Sequence, residues 1–319
     1  MKNKHYIMKQ TTLKSYYRNI KEKINMNKKI YLKLYIRKII DLIKNISLIV
    51  LNKIYKLPFL EKPLPKKNTI PNISPINKNM FLSLHKNAIE KSYIKVNQFE
   101  EKLGYIIDKK WFNDLSLITQ TCIKNSELNF NHGRILYCLI SKYIQDNLEN
   151  NSKNITILET GTARGFSSLC MSKAINDSAI SGRVITIDCI SHNTKMFWGC
   201  ISDFDGEKTR GELLSNWHEE LSNIIFIHGW TTETLNKIGL NRINFAFLDA
   251  QHTKNAVLEE FKYINKRQIK GDMIFFDDVT PNIFDGVCEA VKEISINYSY
   301  EIEYLPFDKN RGYALATKI

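Results

Sequence analysis

The sequence has no paired cysteines, no apolar leader and, in its first 70 residues, almost no acid. Its six cysteines (Cys122, Cys138, Cys170, Cys189, Cys200 and Cys288) include no CxxC pair. Spacing therefore speaks against a zinc or redox motif and for reduced thiols in a reducing compartment. No short apolar core follows the Lys-rich start, so no secretory signal is expected. Residues 1–70 hold three acids (Glu22, Asp41, Glu61) against 18 Lys and Arg, and the rest of the chain holds 28 basic and 30 acidic residues. The formal charge of +13 thus belongs to one end. That asymmetry describes an appended arm and argues against a nucleic-acid partner for the remainder. Proline is scarce too, and five of the seven (Pro58, Pro63, Pro65, Pro71, Pro75) fall in one short stretch that reads as a linker.

Three parts follow: a basic arm with its linker (1–78), a helical subdomain (79–150) and a larger domain (151–319). Residues 1–28 are polar and basic and are expected to hold little fixed structure. Residues 29–56 have helical spacing. Leu32, Ile36, Ile39, Ile43, Ile46 and Val50 share one face, while Lys33, Arg37, Asp41 and Lys44 share another. Within that segment the longest uncharged run is Asn45–Asn52, far short of the roughly 20 residues that cross a bilayer. Such a helix packs on the protein's own body, lies on a membrane surface, or binds a protein partner, and the sequence leaves all three open. The chain is expected to be cytoplasmic, with the membrane reading placing it on the inner face. A homo-oligomer is equally compatible with the sequence.

Residues 81–149 read as mainly helical. The last helix, about Gly133–Leu148, lines Ile135, Leu136, Leu139, Ile140, Tyr143, Ile144 and Leu148 along one face. Beyond it the pattern becomes apolar strands alternating with helices. The strands read as Ile155–Glu159, Arg183–Asp188, Ile224–His228, Asn244–Asp249 and Met273–Asp277. Helices are expected at Gly165–Ile175, Glu207–Leu221, Thr232–Ile238, Asn255–Lys266 and Gly286–Ile294. Alternation of this kind predicts a parallel sheet with right-handed crossovers. Two further runs, Tyr298–Leu305 and Tyr313–Thr317, read as an antiparallel hairpin closing a seven-stranded, doubly wound α/β sheet.

The stretch ITILETGTARGFSSL turns from strand to helix through Glu159, Gly161, Thr162 and Gly165. Glycine permits the sharp turn and a close ligand approach. Free N–H groups at the helix start face the same loop. A dinucleotide loop would read GxGxxG. Here an acid stands inside the motif, which suits a cationic amino group and opposes a pyrophosphate. Charge thus favours S-adenosylmethionine over NAD. Asp188, ending the second strand, can accept hydrogen bonds from both ribose hydroxyls. Gly229 and Trp230, ending the third, can border an adenine. The glycine spacing alone also fits a purely structural turn.

Asp249 ends the fourth strand, and Asp277 and Asp278 end the fifth. Three carboxylates converging at the carboxyl edge are costly unless neutralised, and a hard divalent cation such as Mg²⁺ would do so. His252, three residues after Asp249, has the pKa range to take a proton from an acceptor hydroxyl. Other readings remain: Asp277 or Asp278 as a turn cap, Asp249 as a direct substrate contact, and His252 as an ordinary loop residue.

With these residues in view, 155–317 resembles a class I methyltransferase. Phe247-Leu-Asp-Ala-Gln-His252 and Ile274-Phe-Phe-Asp-Asp-Val279 resemble the metal-dependent O-methyltransferases acting on sugars and macrolides, and their cephalosporin-hydroxylase-like relatives. The resemblance implies Asp249, Asp277 and Asp278 as metal ligands, His252 as base, Asp249 beside it in the catalytic centre, and a sugar, glycan or natural-product hydroxyl as acceptor. Relatives often read Asp-Gly-Asp-His-Ser-Tyr where this chain has Asp-Ala-Gln-His-Thr-Lys, and Gly-Gly where it has Gly271-Asp272. Cys189–Asn223 exceeds a minimal crossover and reads either as a lid over the site or as a packed insertion. Rival functions are metal-free N- or O-methylation and a non-catalytic binding protein of the same fold.

Overall fold

The computed structural model describes residues 77–124, 127–148, 154–305 and 311–319. The arm, the helix expected at 29–56 and all but the end of the linker lie outside the described residues. Four helices come first: α1 (Lys78–Glu90), α2 (Ile94–Leu103), α3 (Lys109–Thr119) and α4 (Asn131–Leu148). The sheet domain then runs β1 (Asn154–Thr160), α5 (Phe166–Asp177), β2 (Ser181–Asp188), the short helices α6 (Arg210–Leu213) and α7 (His218–Leu221), and β3 (Ile224–His228). It continues through α8 (Thr231–Leu235), β4 (Phe245–Leu248), α9 (Lys254–Asn265), β5 (Met273–Phe276), α10 (Asp285–Asn297), β6 (Tyr300–Leu305) and β7 (Tyr313–Lys318). Among the described residues, no helix is long and apolar enough to cross a membrane.

The seven strands lie in the order β3-β2-β1-β4-β5-β7-β6. The first five are parallel, while β7 runs antiparallel to both β5 and β6. The expected hairpin is present, with β7 inserted between β5 and β6. This is the doubly wound seven-stranded sheet expected of a class I methyltransferase, with helices preceding it.

Period-two alternation divides the sheet between two cores. Phe245, Phe247 and Phe275 face one core with Ile135, Leu136, Ile140 and Tyr143 of α4 and Leu169 of α5. Ala246, Leu248, Ile274 and Phe276 face the other with Val257 and Phe261 of α9 and Val291 of α10. Every residue of β4 is buried, as expected of a central parallel strand covered on both faces. At the amino edge of the sheet, Asp272 receives Tyr143 Oη at 2.7 Å and Arg242 Nη2 at 2.8 Å. Asp272 thus ties α4 to the sheet.

Candidate active site

Strand register fixes the site before any side chain is considered. Thr160 pairs with Ile187 and Leu248, Asp188 with His228, and Leu248 with Phe276. Asp188, Asp249 and Asp277 therefore leave neighbouring strands at one carboxyl edge, where folds of this class bind ligands.

The cofactor loop is tightly tailored. Gly161 has φ +92°, and a Cβ there would sit 2.1 Å from the Asp249 carbonyl oxygen. Only glycine lets the loop cross the β4 tip. Gly165 (φ +87°) starts α5, where a Cβ would lie 2.7 Å from a Leu214 methyl. Thr162 is buried and its hydroxyl shares a hydrogen with that of Thr186 at 2.5 Å.

Asp188 organises the same loop. Its Oδ2 accepts from Ala163 N–H at 2.6 Å and its Oδ1 from Ile190 N–H at 2.7 Å, with Arg210 Nη2 4.0 Å away. Ala163 itself is held at φ +45°. Glu159 is fully buried, and both its oxygens accept hydrogen bonds, from the Ser167 and Ser168 hydroxyls at the start of α5. Burial pushes its pKa up, and the hydroxyls counter only part of that. Each of these carboxylates already has protein partners, although a carboxylate oxygen can accept more than one bond. Gly229 N–H donates to the Asp188 carbonyl at 2.8 Å, and Trp230 beside it is 44% exposed, available as a wall for a planar ring.

At the other end of the edge the acids face one another. One ligand atom each from Asp249, His252 and Asp278 lie within 4.8 Å of one another. His252 Nε2 is 2.9 Å from Asp278 Oδ2, and its ring packs on Phe284 at 4.6 Å. The hydrogen bond to Asp278 raises the His252 pKa. Loss of water and then the Asp277 charge raise that of Asp249 well above the carboxylate range. Asp278 adopts φ +56°, a left-handed conformation that Asp tolerates better than most residues.

Asp277 is placed differently from the expectation that it would join Asp249 and Asp278 as a metal ligand. Its carboxylate is sequestered by Arg311, whose Nε donates to Oδ1 at 3.1 Å and whose Nη2 donates to Oδ2. Burial alone would raise the Asp277 pKa, but the guanidinium wins and holds it below the usual range. Sequence reading missed Arg311, which lies in the segment taken for a hairpin turn. It also missed Arg210, Ser167 and Ser168. An acid in the glycine loop followed by paired serines was the available signal for the last two.

The stretch Cys189–Asn223 is mainly a packed insertion. Trp198, Cys200, Leu214 and Trp217 are buried, and Arg210 (1% exposed) reaches the Ala163 carbonyl at 2.9 Å. Phe197 and Phe204 remain exposed.

Residues 158–279, from β1 to the turn after β5, match the family model described as a methyltransferase domain. A search of curated proteins gave no match. Similar solved structures include an O-methyltransferase from Bacillus cereus in complex with SAH, at 16% identity and TM-score 0.47, covering 70% of this chain and 97% of that one. The O-methyltransferase TomG from Streptomyces achromogenes, involved in tomaymycin synthesis and in complex with SAM, has 16% identity and TM-score 0.47 and covers 69% and 94%. SAH-bound methyltransferase PaMTH1 from Podospora anserina has 13% identity and TM-score 0.44 and covers 78% and 100%. Residues 158–279 thus resemble a methyltransferase domain, and the strand order β3-β2-β1-β4-β5-β7-β6 is that of the class I methyltransferase fold.

Proposed function

We propose that the chain transfers a methyl group from S-adenosylmethionine to a hydroxyl of a sugar, glycan or other natural-product acceptor, with help from a divalent cation. The observation that carries this reading is the Asp249–His252–Asp278 group, placed against the cofactor loop through the Gly161–Asp249 contact. The cofactor supplies an electrophilic methyl, so the protein's task is to bind, orient and remove a proton. Asp188, Gly229 and Trp230 are suited to the nucleoside, and Glu159, Gly161, Thr162 and Gly165 to the amino-acid end. Because Glu159 already accepts from two serines, an ammonium would share it with them.

His252 is the base in this reading. While Nε2 donates to Asp278, the lone pair for proton removal lies on Nδ1. The donor set fits a hard cation: Asp249 and Asp278 offer oxygens, as Mg²⁺ prefers, while both nitrogens of His252 are engaged, one by Asp278 and one in proton removal. Such a cation would offset the facing charges and lower the pKa of a bound hydroxyl. Saccharide or small-molecule partners fit this edge better than nucleic acid, because the residues after the arm carry a small acidic excess. A chelator titration with a sugar or phenolic acceptor tests the reading. Turnover should fall with metal removal and return with Mg²⁺. Full turnover in excess chelator rejects the metal, leaving metal-free N- or O-methylation.

A further inference from the structure

We propose that Arg311 is a positioning residue that keeps Asp277 out of the metal-binding set, so that Asp249 and Asp278 are the two carboxylates a divalent cation meets. The proposal rests on the metal reading above and deepens it.

The position of Arg311 is fixed by backbone. Val279 N–H donates to the Gly312 carbonyl at 2.9 Å, and Gly312 N–H donates to Thr280 Oγ1 at 2.9 Å. A Cβ on Gly312 would fall 2.4 Å from the Val279 carbonyl oxygen. The segment entering β7 is thus pressed against the turn leaving β5, and the guanidinium arrives beside Asp277 with little freedom. A planar fork on a carboxylate is the geometry Arg makes and Lys does not. Asp278 N–H adds a third bond to Asp277 Oδ1 at 2.7 Å. The Asp277 side chain has 0% exposure and that of Arg311 21%. Moving Asp277 to a cation would strand a largely buried guanidinium beside the Tyr313 ring, 5.8 Å away.

Mn²⁺ titration of the full chain, followed by electron paramagnetic resonance, tests this. Asp249→Asn and Asp278→Asn should each weaken Mn²⁺ binding at least about 30-fold, because affinity follows the number of charged ligands. The double variant Asp277→Asn/Arg311→Gln removes the pair together and should shift affinity less than about threefold. Equal weakening in the double variant and in Asp278→Asn overturns the proposal while leaving the metal reading intact. Wild-type protein that binds no Mn²⁺ overturns both. If the double variant does not fold, as judged by its melt, Arg311→Lys takes its place. Loosening the fork should then tighten Mn²⁺ binding, and unchanged or weaker binding counts against the proposal.

Discussion

The two ends of the carboxyl edge treat their acids in opposite ways. At the β1–β2 end, Glu159 accepts from Ser167 and Ser168, and Asp188 accepts from two backbone N–H groups. At the β4–β5 end, Asp249 and Asp278 face each other with His252 between strand tip and solvent. The first end is complete without a ligand, because donors from the fold satisfy its charges. The second holds charge that needs an external partner, whether a cation, a proton or an acceptor hydroxyl. Preorganisation of the cofactor loop and unfinished electrostatics at the reacting end suit a domain that binds one constant ligand and acts on another.

Replacing His252 by Ala should separate the two ends most sharply. Turnover should fall about 10²–10⁴-fold, the usual worth of a positioned base. Affinity for S-adenosylhomocysteine, measured by calorimetry, should stay the same, and unchanged turnover would remove His252 as the base.

Gly161→Ala joins the two ends in one defect. Its Cβ would meet the Asp249 carbonyl oxygen at 2.1 Å and its φ is +92°. A loss of about 2–4 kcal/mol on denaturant unfolding is expected from strain and displaced backbone. A melt like that of the wild type would show that the loop can lift off β4.

Asp188→Ala should affect the cofactor end alone. Two backbone N–H groups lose their acceptor, and nucleoside affinity should fall about 10–100-fold. Mn²⁺ binding at the other end should not change, and a parallel loss there would show that the ends are coupled.

The smallest effect concerns Glu260 of α9, beneath the β1 tip, which accepts from Thr160 Oγ1 at 2.9 Å. Burial raises its pKa from 4.5 to about 8. A group with a raised folded pKa stabilises fully below its unfolded value and loses that contribution as pH rises to the folded one. Stability should therefore decline between pH 4.5 and about 8. Glu260→Gln should flatten that decline and exceed wild type by about 1–3 kcal/mol at high pH. A decline that persists in the variant would assign it to another group.

How much of this was legible in the sequence depended on range. Ile224–His228 was read to the residue, because β-branched runs bounded by polar turns carry their own signal. The second strand begins at Ser181, two residues before the expected Arg183, because Ser181 and Gly182 give no apolar cue. The expected helix Glu207–Leu221 breaks into α6, a 3₁₀ turn and α7, each shaped by packing of Leu213, Leu214 and Trp217. Asp249, His252 and Asp278 could be found because each sits at or near a strand tip. Arg311 could not, since its partner is 34 positions away and no periodic pattern announces an ion pair. Asp188, expected to hold ribose, also accepts from two backbone N–H groups, and no sequence motif encodes those bonds.

β7 comes last among the strands yet lies inside the sheet, between β5 and β6. Until it inserts, the apolar strand Met273–Phe276 is an open edge, the kind of surface along which chains stack on one another. The sheet therefore stays open, and prone to self-association, until β7 is in place. The same insertion that closes the edge also brings Arg311 to Asp277, so one strand both seals the sheet and neutralises a buried acid.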